Sequence, residues 1–134
     1  RQRQMCIRDS YASASPDQEK LQAEVTEILE KECAAAKAAD VQTWNRYSDE
    51  FHLVFYRYCN NSRLAESAER LRSGISIFSN QYCRETVIQT RIDEEHLAIF
   101  QAYKDGDIEK AVQMMKTHLN DSLNYALRFL PKTF

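Results

Sequence analysis

The sequence predicts an all-α fold, an antiparallel helical bundle. Only two glycines and two prolines occur in 134 residues, so few positions break a helix. Ala, Glu, Leu and Lys, all good helix formers, are abundant. Apolar residues recur at three- and four-residue spacing along every long segment, and no alternating strand pattern competes. The length fits one domain, with enough chain to hide well over half its unfolded surface.

The elements follow in order. Ser15-Pro16-Asp17-Gln18 opens the first helix: Ser15 suits the cap, Pro16 the first helical position, and Gln18 completes a capping box. Leu21, Val25, Ile28, Leu29 and then Cys33 form its apolar stripe, which an Ala-rich run carries to a stop near Asp40. Asp40 caps a second helix with Val41, Trp44, Tyr47, Phe51, Val54, Phe55 and Tyr58 at helical spacing. Asn60-Asn61-Ser62 breaks it. A third helix runs through Leu64, Ala68, Leu71, Ile75 and Phe78, with Gly74 inside it. Residues 80 to 86 carry no clear signal. A fourth helix covers about Val87 to Lys104 with Ile88, Ile92, Leu97, Ile99, Phe100 and Tyr103. Asp105-Gly106-Asp107 is a stop and restart, Gly ending one helix and Asp107 capping the next. The fifth carries Ile108, Ala111, Met114, Met115, Leu119, Leu123, Ala126 and Leu127, with Pro131 as its end.

Composition narrows the function classes. The net charge is −2 and no Lys/Arg cluster stands out, which disfavours direct nucleic-acid binding by this domain. No apolar run approaches the roughly 18 residues of a membrane span, and no segment reads as a signal peptide. Cys6, Cys33, Cys59 and Cys83 form no C-x-x-C pair, and their spacing fits no zinc knuckle. Reduced thiols in a cytoplasmic protein are the expectation. No P-loop, dinucleotide fingerprint or nucleophilic triad order is present.

Residues 1–10, RQRQMCIRDS, have no hydrophobic period. Met5 to Ser10 back-translates as ATG TGT ATA AGA GAC AG plus one base, which matches a transposon end used as an adapter in DNA sequencing. The expectation is that 1–10 is adapter read-through and that 11–134 is a native helical domain shortened at its N-terminus. Without the leader the charge falls to −4.

The chain has three histidines, His52, His96 and His118, each within an amphipathic helix. Imidazole is the commonest protein ligand for divalent transition metals. Each alone would be an ordinary structural or surface residue. His96 precedes Gly106 by ten residues and His118 follows it by twelve, so an antiparallel hairpin brings the two rings to one height. On the second helix Ser48 and Asp49 both lie one turn before His52 and share its face. Met114-Met115 reads as core. Glu94-Glu95 reads as a solvated pair, with a general base beside His96 as its functional alternative.

These residues together resemble the FCD domain, the C-terminal effector-binding domain of FadR-type GntR bacterial transcription regulators. The resemblance spans about Ala38 to Leu127 and rests on several matches. They are Asp40, Phe51-His52, Asn61 nine residues on, Glu95-His96-Leu97-Ala98-Ile99, Gly106-Asp107 with Ala111 and Met115, and His118-Leu119. It implies an antiparallel bundle with a central ligand and metal cavity. It also implies a divalent metal, zinc or nickel, on one Asp and three His, here His52, His96 and His118. A small organic-acid effector would be held there by its carboxylate. Binding would shift a homodimer and change the DNA affinity of an attached winged helix-turn-helix domain, which this chain lacks. Ser48 stands where the family has its Asp, so Asp49 is the expected fourth ligand. An arginine the family uses for the effector belongs to the missing part, which leaves Arg91 as the expected effector contact. The expectation is a sensor with no catalytic residue. The alternatives are a metal-dependent hydrolase-like enzyme and a metal-free helical interaction domain.

Overall fold

The computed structural model describes residues 15–58 and 62–128, with side chains over 17–58, 62–73 and 83–128. The leader, Cys6, Cys59, Asn60, Asn61, Pro131 and the side chains of Ile75 and Phe78 lie outside the described residues. The described residues form five helices and no strand: α1 Ser15–Lys37, α2 Val41–Arg57, α3 Ser62–Tyr82, α4 Thr86–Lys104 and α5 Ile108–Leu127.

Two of the joints are built alike. After α1, Ala39 is left-handed at φ 56°, with Ala39 N–H donating to the Ala36 carbonyl at 3.2 Å and Asp40 N–H to Ala35 at 3.0 Å. After α4, Gly106 takes φ 80°, with Gly106 N–H donating to Tyr103 at 3.1 Å and Asp107 N–H to Ala102 at 3.1 Å. This paired closure satisfies carbonyls that a helix end leaves open. An Asp then starts the next helix in both cases. Asp40 Oδ1 accepts from Thr43 N–H at 3.2 Å and Asp107 Oδ1 from Lys110 N–H at 3.1 Å. The two joints make α1–α2 and α4–α5 tight antiparallel hairpins.

The hairpins pack through α1 against α4; α3 lies against α2 and meets α5, which closes the ring. α2 and α4 also touch across the middle. The main core joins Leu21, Val25 and Leu29 of α1 to Phe51, Val54 and Phe55, Ile99, Phe100 and Tyr103, and Met115. A smaller cluster holds Ala35, Ala36, Trp44 and Ile92. Burying side chains of this size stabilises a fold by about 1.5–3 kcal/mol each. Met115 is fully buried and Met114 packs at the core edge, as core methionines do.

The α1 stripe differs from expectation at one place. Its next inward residue is Glu32, 0% exposed, whereas Cys33 is only half-buried. Glu32 lies four residues after Ile28 and seven after Val25, near the centre of the stripe, and Cys33 is about 100° further round. Leu71, Leu97, Leu123 and Leu127 of the expected stripes are also exposed. Leu97 adjoins His96 in sequence, and the inward face goes to the imidazole.

Candidate metal centre

Between the two apolar clusters lies a polar layer. α1, α2 and α4 pass from one cluster to the other through it, and α5 reaches it from the larger cluster. α1 does so at Glu32, α2 at Ser48 and His52, α4 at Asp93 and His96, and α5 enters it at His118. All six are buried. The same helical spacing that places Leu29, Phe51 and Ile99 in the core places these polar residues one or two turns along the same faces.

The three imidazoles converge. His96 Nε2 lies 3.0 Å from His118 Nε2, and His118 Nε2 lies 3.4 Å from His52 Nε2. One ring nitrogen from each lies within 4.8 Å of the other two. The His52 and His118 rings stack at 5.2 Å, and Phe51 stacks on His96 at 4.2 Å with 16° between planes. The hairpin therefore brings His96 and His118 to one height, as the spacing about Gly106 predicts.

Two carboxylates orient the rings from outside. His96 Nδ1 is 2.9 and 3.1 Å from the two oxygens of Glu32, and His118 Nδ1 is 2.6 Å from Glu95 Oε1. A carboxylate accepts, so each Nδ1 carries the proton and each Nε2 presents a lone pair. Two lone pairs then face one another at 3.0 Å, an arrangement that calls for a cation between them. Tetrahedral ligands at a zinc–nitrogen length of 2.0–2.1 Å would stand about 3.4 Å apart. The residues fit a divalent ion in donor type, separation and outer contacts.

Electrostatics reinforce this. Burial pushes His96 down to about 3 and His118 down to about 4, the latter helped by His96, so both rings are neutral and able to coordinate. The positive charge of Arg72 acts in the same direction on both. Burial raises Glu32 to about 7 against hydrogen bonds from Asp93 and Ser48. Burial, and then the hydrogen bond to Glu32, raise Asp93 to about 8 although Trp44 Nε1–H donates to its Oδ1 at 2.9 Å. Both acids of the Asp93–Glu32 pair are thus raised by burial, and the hydrogen bond between them requires a shared proton.

Other expected residues sit elsewhere. Asp49 accepts from Arg72 Nη2 at 2.7 Å, and it is not among the three residues that converge. Ser48 faces Glu32. Arg91 is half exposed, 3.9 Å from Glu95 and 5.9 Å from the centre of the Tyr125 ring. Glu95 serves His118 across the hairpin and not its neighbour His96. A cleft of about 320 Å³ between α4 and α5 reaches His118, with Glu94, Glu95 and Asp121 on its walls. Cys33 and Cys83 are free thiols, and burial raises Cys33 to about 11, which disfavours its thiolate.

Sequence reasoning missed Glu32, Asp93 and Arg72. Glu32 was detectable, since it keeps strict i+4 and i+7 register with Ile28 and Val25. Asp93, three residues before His96, was detectable by the same count. Arg72 has no comparable signal.

The site is a buried three-imidazole layer in an all-α bundle that could hold a metal ion. The family model of the FCD domain matches residues 5–121, and the chain belongs to that family, the effector-binding domain of GntR-type regulators. Searches of curated proteins and of solved structures returned no match. No helix among the described residues is long and apolar enough to cross a membrane.

Proposed function

We propose that this domain senses a small carboxylic acid through a divalent metal held by His52, His96 and His118. In the proposed parent regulator, binding changes the DNA affinity of an attached winged-helix domain through a homodimer. The observation that carries this reading is the convergence of three Nε2 atoms with two opposite Nδ1 atoms fixed by carboxylates. When bound, zinc or nickel would supply a Lewis-acidic anchor for a carboxylate oxygen.

The protein's own groups favour binding over turnover. Glu32 and Glu95 sit on the Nδ1 side of their rings, the side away from the converging nitrogens. Neither is placed as a general base at the centre. Asp49 is engaged with Arg72 through Oδ1 and lies outside the three converging residues.

Two arginines are candidates for the carboxylate. Arg91 is half exposed, with its Nε 3.9 Å from Glu95. Arg72 is largely buried, its charge reaches His96 and His118, and its Nε has no acceptor. A buried guanidinium donor without a partner suits an anionic ligand. Arg72 is therefore the stronger candidate.

Elemental analysis and calorimetry test the reading. The expected result is about one equivalent of metal per chain, lost in the His118→Ala variant, and metal-dependent binding of short carboxylic acids. Less than about a tenth of an equivalent after growth with zinc and nickel, with unchanged melting on adding either metal, would reject it.

A further inference from the structure

We propose that Glu32 is a positioning residue for the three-imidazole centre, itself held in place by Ser48, Asp93 and Trp44. This rests on the metal reading above. Glu32 comes from α1, which contributes no imidazole, and its side chain is fully buried in the middle of an apolar stripe. A carboxylate there costs stability that an apolar residue at the same position would not, so its presence calls for a specific partner. That partner is His96, whose Nδ1 it meets with both oxygens.

The surroundings account for the remaining valences of Glu32. The Ser48 hydroxyl and the Asp93 carboxyl hydrogen-bond to it, and Trp44 Nε1–H holds Asp93 at 2.9 Å. The result is a continuous buried path, Trp44 to Asp93 to Glu32 to His96, that crosses α2, α4 and α1. Its effect is to keep His96 as the Nδ1–H tautomer, so that the Nε2 lone pair always faces His52 and His118. It also brings a carboxyl group near the centre from α1, while the α2 position four residues before His52 is Ser48. The counterpart contact on His118 is different in kind: Glu95 is about one-third exposed, where water can replace it.

The test uses the full chain with Glu32→Gln and Glu32→Leu variants, checked for folding by circular dichroism and melting. Nitrogen-15 NMR of the imidazoles in chelator-treated protein reads the His96 tautomer directly. At about pH 8, with Glu32 ionised, wild type is expected to be predominantly Nδ1–H, and both variants are expected to show a larger Nε2–H population. Competition with a chromophoric chelator reads Zn2+ and Co2+ affinity, which is expected to fall about 10- to 100-fold in the variants. A role in folding alone would lower melting and leave the tautomer unchanged. A folded Glu32→Gln variant with wild-type tautomer and metal affinity within twofold overturns the positioning role alone. Wild-type protein that takes up neither Zn2+ nor Co2+ overturns the metal reading and this role with it.

Discussion

Held in excess chelator, the protein is expected to be most stable between about pH 4.5 and 6.5 and to weaken on both sides. The perturbation is pH, and the working groups are four of the buried titratable side chains of the polar layer, Glu32, Asp93, His96 and His118. Glu32 and Asp93 have folded values raised to about 7 and about 8. Their stabilisation is complete below about pH 4 and is lost as pH rises through 7 and 8. His96 and His118 have folded values lowered to about 3 and about 4. Their stabilisation is complete above about pH 6.5 and is lost as pH falls through 4 and 3. Between about 4.5 and 6.5 the folded layer holds two acid protons and the unfolded chain holds two imidazole protons, so the slopes cancel. Above 6.5 only the acids act. One proton is worth about 1.4 kcal/mol per pH unit, and the loss from pH 6.5 to 8.5 comes to about 2 kcal/mol once solvent screening is allowed for. Urea unfolding at several pH values measures it, with Trp44, the single tryptophan, as reporter. Asp93→Asn should flatten the alkaline limb. Stability that rises from pH 6.5 to 8.5 would refute the assignment of Glu32 and Asp93 as raised acids.

Three further outcomes are expected. Zinc at a hundred times its dissociation constant should stabilise the chelated protein by about 2.7 kcal/mol, roughly 10 °C of melting for a domain of this size. The His118→Ala variant should show none of that gain by scanning calorimetry. Arg72→Ala should weaken binding of a short dicarboxylate such as malate to zinc-loaded protein at least tenfold in calorimetry, whereas Arg91→Ala should change it less than twofold. The reverse order would restore Arg91 as the effector contact. Ala39→Gly should raise stability by about 1 kcal/mol in urea unfolding, because Ala39 occupies the left-handed position that glycine fills without cost at Gly106.

Much of the fold is written in local chemistry. Asp40 and Asp107 cap helices by side-chain acceptors three residues upstream of their donors, a signal any reader of the chain can count. The pairing of His96 with His118 follows from their near-equal distance to Gly106. What composition and periodicity hide is the inward polar residue. Glu32 looks like one more charged residue of a solvated face until strict register is imposed, because glutamate is so rarely buried. The partner of Asp49 is hidden for another reason: Arg72 lies on a different helix, and no local rule links residues 23 apart. His52 joined the other two only through the family resemblance, since its place beside them depends on how two hairpins pack.

The converging nitrogens lie far apart along the chain: His52 and His118 are separated by 66 positions, His96 and His118 by 22. An ion held between them would act as a removable cross-link, closing two long loops at one point and restricting the unfolded chain much as a disulfide does. Through Glu32 the clasp also reaches α1. Among the described residues α3 alone gives it neither a ring nor a carboxylate, and its tie to this knot is the salt bridge from Arg72 to Asp49. Loading the clasp would slow hydrogen exchange along α2, α4 and α5 together and leave α3 with its own, separate opening rate. A carboxylate competing for Arg72 would then loosen the salt bridge that ties α3 to the clasp, while its packing against α2 remains.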